Sequence, residues 1–149
     1  MNPVLRVTDL ETTFFLKSGP FRAVNRISYD IHQGKTLGIV GESGCGKSVT
    51  SFSLMKLISA PGEITHGSAV LNGKNLVTAS ASEMEAIRGG QMAMIFQEPM
   101  TALNPVLTIG YQMDEQIQKH LKYSDKDSKD RAIEMLQLVG IPSPSERYS

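Results

Sequence analysis

The sequence holds a single cysteine, Cys45, so the chain cannot close a disulfide on itself. That agrees with a reducing compartment. No charge of one sign is in excess: Lys+Arg and Asp+Glu are 15 each, which gives no support for nucleic acid as a partner. No apolar run approaches the ~20 residues that a membrane span needs. The first residues, Met1-Asn2-Pro3-Val4-Leu5-Arg6, lack the basic-then-apolar form of a secretory signal. Internal repeats and low-complexity tracts are missing as well. These absences leave a cytosolic protein, or one held at a membrane through a partner. The 149 residues, 40% hydrophobic and 20% charged, are enough for one soluble domain with a real core.

What is present is organised around Gly41-Glu42-Ser43-Gly44-Cys45-Gly46-Lys47-Ser48, which fits the phosphate-loop pattern G-x-x-x-x-G-K-[ST] at every fixed position. Three glycines let the backbone curl so that successive N–H groups point into one concavity. At the positive end of a following helix, that concavity suits the oxygens of a nucleotide's phosphates. Lys47 would reach the outer phosphates as a mobile point charge. The Ser48 hydroxyl would ligate Mg²⁺, an ion that takes oxygen ligands and bridges phosphates. Cys45 reads as a small filler whose backbone N–H matters more than its thiol.

The flanks give the motif its context. Thr36-Leu37-Gly38-Ile39-Val40 is an apolar run that predicts a buried strand ending at the loop. Val49 to Ser59 predicts a helix with Phe52, Met55 and Ile58 on one face. Before the loop, Val4 to Leu10 and Ala23 to Ile31 predict two strands joined by a turn at Lys17-Ser18-Gly19-Pro20, with Ile27, Tyr29 and Ile31 on one face. Two strands in direct succession predict an antiparallel sheet beside the nucleotide core.

After the loop, Gly67 to Gly73 predicts a short strand running into an Asn-Gly turn. Ala81 to Arg88 predicts a helix capped by Ser80 or Ser82 and ended by Gly89-Gly90. Met92-Ala93-Met94-Ile95-Phe96 predicts a second core strand, with Gln97 at its end and Glu98-Pro99 turning the chain away. Thr101 to Thr108 reads as loop. Ile109 to Leu121 and Arg131 to Val139 predict helices, the second closed by Gly140 and Pro142. Tyr123 to Asp130 is a charged linker or a helix start, and Ser143 to Ser149 is a polar stretch.

In this order, GESGCGKS at Gly41 to Ser48 and AMIFQEPMTALNP at Ala93 to Pro105 resemble the ATP-binding subunit of an ABC transporter. More narrowly, they are similar to the dipeptide and oligopeptide importer group, which includes the nickel and glutathione importers. The resemblance runs from Leu5 to the last residue, including Val139-Gly140-Ile141-Pro142. It implies an α/β fold: a P-loop NTPase core of the ABC type, with an antiparallel β-subdomain and the start of a helical subdomain. It implies ATP and Mg²⁺ as ligands, with the phosphates held by Gly41, Glu42, Ser43, Gly44, Cys45, Gly46, Lys47, Ser48 and Val49. It assigns Lys47 and Gln97 to catalysis, and Ser48 and Gln97 to the metal. Gln97 would also couple the site to the membrane subunits.

An adenine-stacking aromatic is implied four positions after an apolar residue of the first strand. Leu10 to Phe14 has that spacing, with Phe15 and Phe21 as alternatives, and Phe14 reads equally well as a core residue. The implied partners are a second ATPase subunit packed head to tail, integral membrane permease subunits and, through them, a substrate-binding protein. The implied location is the cytoplasmic face of the inner membrane, as a peripheral subunit. His32, His66 and His120 match no family site and are expected at the surface. Val49 stands where the family often has Thr, and Thr50 follows it.

Several parts of the family pattern are missing from the 149 residues: an LSGGQ-like signature, an apolar strand ending in Asp-Glu, and a downstream switch histidine. Residues 1–149 therefore resemble the N-terminal part of a longer nucleotide-binding domain, and the chain alone is expected to bind Mg-ATP weakly at best and to hydrolyse it hardly at all. One other reading is a catalytically inactive nucleotide-binding or interaction fragment that docks on the permease through the surface around Gln97 to Pro105. A GTPase or kinase is disfavoured, because no NKxD guanine reader is present. Core strands at 36–40 and 92–96 are expected to leave apolar faces uncovered, and such faces favour aggregation.

Overall fold

In the computed structural model, which describes residues 2–97 and 102–149, the chain forms two compact units, Met1–Arg88 and Gly89–Ser149. The turn read at Glu98-Pro99, and Met100 and Thr101 of the segment 93–105, lie outside the described residues.

The first unit is built on an antiparallel hairpin. Strand β1 (Leu5–Leu16) and strand β2 (Gly19–Ile31) pair from Leu5↔Ile31 to Leu16↔Gly19. β1 runs on through Phe14 and Phe15, well past the expected end at Leu10. It can do so because β3 (Gly62–Leu71) pairs along its other edge, from Leu5↔Leu71 to Phe14↔Gly62. Asn72 and Gly73 then take φ of 48° and 86°. Positive φ at both central residues is what a type I′ two-residue hairpin turn requires. The turn leads into the short β4 (Lys74–Asn75), and the sheet order is β2-β1-β3-β4.

Helix α1 (Lys47–Leu54) follows the phosphate loop, and α2 (Ala81–Ile87) closes the unit. The core joins Leu5, Val7 and Leu10 of β1 to Val24, Leu76 and Met84, all buried. α2 starts in a full capping box. The Ser80 hydroxyl accepts from Glu83 N–H, and the Glu83 carboxylate accepts from Ser80 N–H at 2.7 Å. An ion pair with Lys74 is the largest cause, ahead of that backbone bond, of a Glu83 carboxyl lowered to about 2.

Three expectations are corrected here. Thr36–Val40 forms no strand, and Val40 is 93% exposed. Met92–Phe96 forms no strand either, and Ile95 is 98% exposed. The reason is shared: a parallel strand needs a hydrogen-bonded neighbour, and among the described residues every strand belongs to the one antiparallel sheet. α1 is also shorter than the predicted 49–59. Lys56 takes φ of 49°, a conformation that cannot continue a right-handed helix, so Leu57 and Ile58 lie beyond it.

The second unit is helical. α3 (Ile109–Leu121) has the predicted bounds and starts at Thr108, whose hydroxyl accepts from Tyr111 N–H. α4 (Asp125–Leu138) begins in the charged stretch that allowed a linker or a helix start. Ser124 caps it by accepting from Asp127 N–H. Gly140 ends it at φ 77°, with Gly140 N–H on Gln137 O and Ile141 N–H on Leu136 O, both 2.9 Å. The polar stretch at the end is a short helix, α5 (Pro144–Tyr148). The Tyr148 hydroxyl bonds Asp114, which also accepts from Ser128 Oγ at 2.7 Å. The Asp114 bond is the main reason that the phenol is pushed up to about 12. His120, expected at the surface, is half-buried with its ring against Gly89, whereas His32 and His66 are exposed.

Candidate functional site

The loop from Gly41 to Ser48 is shaped by its glycines. Gly44 and Gly46 take φ of 84° and 93°, where side chains with a Cβ are strained. Gly46 has a second reason: a Cβ there would lie 2.2 Å from the Ala23 carbonyl oxygen of β2. The loop is therefore seated on the hairpin backbone, through a contact that only glycine allows. At Gly41 a Cβ would meet Cys45 Sγ at 2.6 Å, so the thiol lies directly over that glycine. Cys45 is a free, exposed thiol.

Gly46 is also the N-cap of α1, and no side chain caps the helix. Thr50 N–H already bonds Gly46 O at 2.9 Å. The N–H groups of Lys47, Ser48 and Val49 come before the first intrahelical acceptor, so they stand at the positive end of the helix without an intrahelical partner. The first turn of α1 carries no acidic residue that would oppose an anion there. The Lys47 ammonium folds back over the loop and donates to Gly41 O and Glu42 O, both at 2.7 Å. It also approaches Cys45 Sγ at 3.5 Å. Glu42, Ser43 and Ser48 are exposed, and Val49 is half-buried. Positive charge, free N–H groups and an accessible hydroxyl thus converge on one short loop, an arrangement suited to a phosphate chain.

Among the described residues, no group of three or more His, Cys, Asp or Glu could hold a metal ion. A cation at Ser48 would need most of its ligands from phosphate and water, the coordination that Mg²⁺ favours.

α1 itself is tied down mostly by polar contacts. Its buried residues are Thr50, Ser53 and Leu54. Ser53 Oγ meets Thr12 Oγ1 of β1 at 2.7 Å and reaches Val49 O at the same distance. At its carbonyl end, Arg88 donates to Met55 O and Lys56 O. Neither Ala23, Thr12 nor Arg88 stood out in the sequence. No local pattern marks a backbone carbonyl as a seat, or joins residues 41 positions apart.

Phe14 is half-buried, and its ring lies over Gly62, where a Cβ would meet both the ring and Ile58. It lies opposite Phe21 in the β1–β2 register. Phe15 and Phe21 are exposed. Gln97 belongs to the second unit, is exposed, and is the last described residue before Glu98. That unit also holds an open groove of roughly 620 Å³, lined mainly by apolar side chains including Leu103, Leu107, Met113, Ile117 and Met135.

The profile of the family described as "ABC transporter" matches residues 24–149. The dipeptide transport ATP-binding protein of Bacillus subtilis is 47% identical over 148 residues, 99% of this chain and 44% of that protein. The corresponding protein of Escherichia coli is 46% identical over 144 residues, 97% of this chain and 44% of its own length. The chain thus spans less than half the length of these relatives. A dimeric bacterial ABC transporter cassette superimposes with a TM-score of 0.76 at 22% identity, over 90% of this chain and 56% of that one. A post-hydrolysis cassette bound to ADP and Pi gives 0.73 at 21%, with the same coverage. The antiparallel sheet, the loop and the helical unit are therefore parts of the ABC-type α/β fold. The profile covers most of the sequence, and on that match the chain belongs to the ABC transporter family.

Proposed function

We propose that the chain is the nucleotide-binding part of an ATP-binding subunit of an ABC importer, one that uses ATP to drive uptake of peptides or similar small solutes. The observation that carries this reading is the loop at Gly41–Ser48, with an uncapped helix start and the Lys47 ammonium at its mouth. The choice of peptides rests on the relatives, whose names are dipeptide and oligopeptide transport ATP-binding proteins.

In this reading the N–H groups from Gly41 to Val49 hold the phosphates of ATP, and Lys47 leaves the loop carbonyls for the outer phosphates. Ser48 would hold Mg²⁺, Gln97 is the second ligand that the resemblance implies, and the ion would supply charge neutralisation on the phosphates. Phe14 would offer a ring to adenine, since that ring lies over Gly62 and is left half-exposed. Lys47 and Gln97 carry the catalytic roles that this chain contains. Among the described residues no strand ends in Asp-Glu to supply a general base, so turnover by the chain alone should stay far below ~1 s⁻¹.

The partners are a second ATPase subunit and integral membrane permease subunits, and the location is the cytoplasmic face of the membrane as a peripheral subunit. No helix among the described residues is long and apolar enough to cross a membrane. The groove lined by Leu103, Leu107 and Met113 favours one further reading, a fragment that docks on the permease without turning over ATP.

Calorimetry with Mg-ATP, wild type beside Lys47→Ala, tests the proposal. Binding that is lost in Lys47→Ala is the expected result. Binding that survives unchanged in Lys47→Ala would refute the assignment of the loop.

A further inference from the structure

α1 presents its N–H end to the phosphate loop, and its other end is held by a residue that no motif includes. Arg88 Nε and Nη2 donate to Met55 O at 2.9 and 2.6 Å, and Nη2 donates to Lys56 O at 3.0 Å. Met55 is the C-cap of α1, so its carbonyl is one that a helix end leaves without an intrahelical donor, and Lys56 O follows it just past the helix. A guanidinium there also complements the negative end of the helix dipole. The neighbouring Lys56 turns the other way, donating to Val77 O at 3.1 Å and Ala79 O at 2.7 Å. Two cations therefore tie the end of α1 to both sides of α2, Lys56 to the segment before it and Arg88 to its C-cap.

The place of Arg88 in the chain gives this contact its meaning. Its backbone is the C-cap of α2, which Met84 and Ile87 anchor in the core, and it is the last residue of the first unit. The apolar anchoring at this end of α1 is short, limited to Leu54 and the C-cap Met55.

We propose that Arg88 is a positioning residue for the phosphate loop. By holding the carbonyl end of α1 it fixes where the opposite end places the N–H groups of Lys47, Ser48 and Val49, and it fastens this helix to the point where the first unit passes into the second. The proposal rests on the nucleotide-binding reading of the loop.

The test measures Mg-ATP affinity of the full 149-residue chain for wild type, Arg88→Met, Arg88→Lys and Lys47→Ala, together with amide hydrogen exchange by segment. Arg88→Met should weaken binding about fivefold, and Arg88→Lys, which keeps the charge without the fork, should recover part of the loss. Exchange should quicken over residues 47–56 while β1 and β2 keep wild-type protection. A merely structural role would instead quicken exchange throughout the first unit, and that result would overturn the proposal. So would wild-type affinity in Arg88→Met. If Arg88→Met does not fold, Arg88→Lys decides: weaker binding with a protected hairpin supports the proposal, and unchanged binding overturns it. Lys47→Ala separates the two claims. If it binds like wild type, the loop assignment fails. If it alone loses binding, only the role of Arg88 fails.

Discussion

Val24 and Val40 are chemically the same residue, and Val40 has the more apolar neighbours in sequence, yet Val24 is 3% exposed and Val40 is 93% exposed. Val24 belongs to β2, which pairs with β1 directly across a turn. Val40 closes a run that finds no neighbouring strand among the described residues. Leu10 and Ile95 repeat the contrast in other parts of the chain. Apolar patterning records that a segment is suited to burial. Whether it is buried depends on a partner that the pattern does not name.

The largest effects should separate these pairs. Leu10→Ala removes a fully buried side chain and should cost about 3 kcal/mol in a denaturant melt, whereas Ile95→Ala should stay within about 0.5 kcal/mol. Equal costs would erase the distinction between paired and unpaired runs. Gly46→Ala comes next. Its Cβ would press on the Ala23 carbonyl at a positive φ, so about 2 kcal/mol of strain should appear, with loss of Mg-ATP binding. A variant that binds like wild type would show that the loop does not need its seat on β2.

Thr12→Val should cost about 1 kcal/mol, since Ser53 keeps its bond to Val49 O. The smallest effect is the pH response of the α2 cap. The lowered Glu83 carboxyl contributes stability that is present above its ordinary value of 4.5 and lost as pH falls toward about 2. In acid titrations followed by melting, Glu83→Gln should flatten that part of the stability curve, and an unchanged curve would mean the capping box contributes nothing there.

The features legible in the sequence were those whose cause is local. The phosphate loop, the Asn72-Gly73 turn, the Ser80 cap and the Gly140 helix end each need only a few neighbouring residues, and each stands where the sequence placed it. The end of α1 was misjudged because the apolar spacing continues through Ile58 while the backbone reverses at Lys56. α5 was missed because its residues are polar. A Pro at the start of a helix was a usable signal, but the short helix is held by a Tyr148–Asp114 bond that spans 34 residues. The runs at 36–40 and 92–96 were misread for the reason that separates Val40 from Val24. The loop's glycine pattern is legible in the sequence and its supports are not, because Ala23, Thr12 and Arg88 act across distances in sequence that no motif records.

The most direct test of the account is amide hydrogen exchange of the wild-type chain, resolved by segment, with and without Mg-ATP. The account predicts that nucleotide slows exchange from Gly41 to Thr50, while β1 and β2 are protected in both conditions. Exchange across Gly41 to Thr50 that Mg-ATP leaves unchanged, at concentrations where nucleotide is bound, would contradict the claim that this loop holds the phosphates.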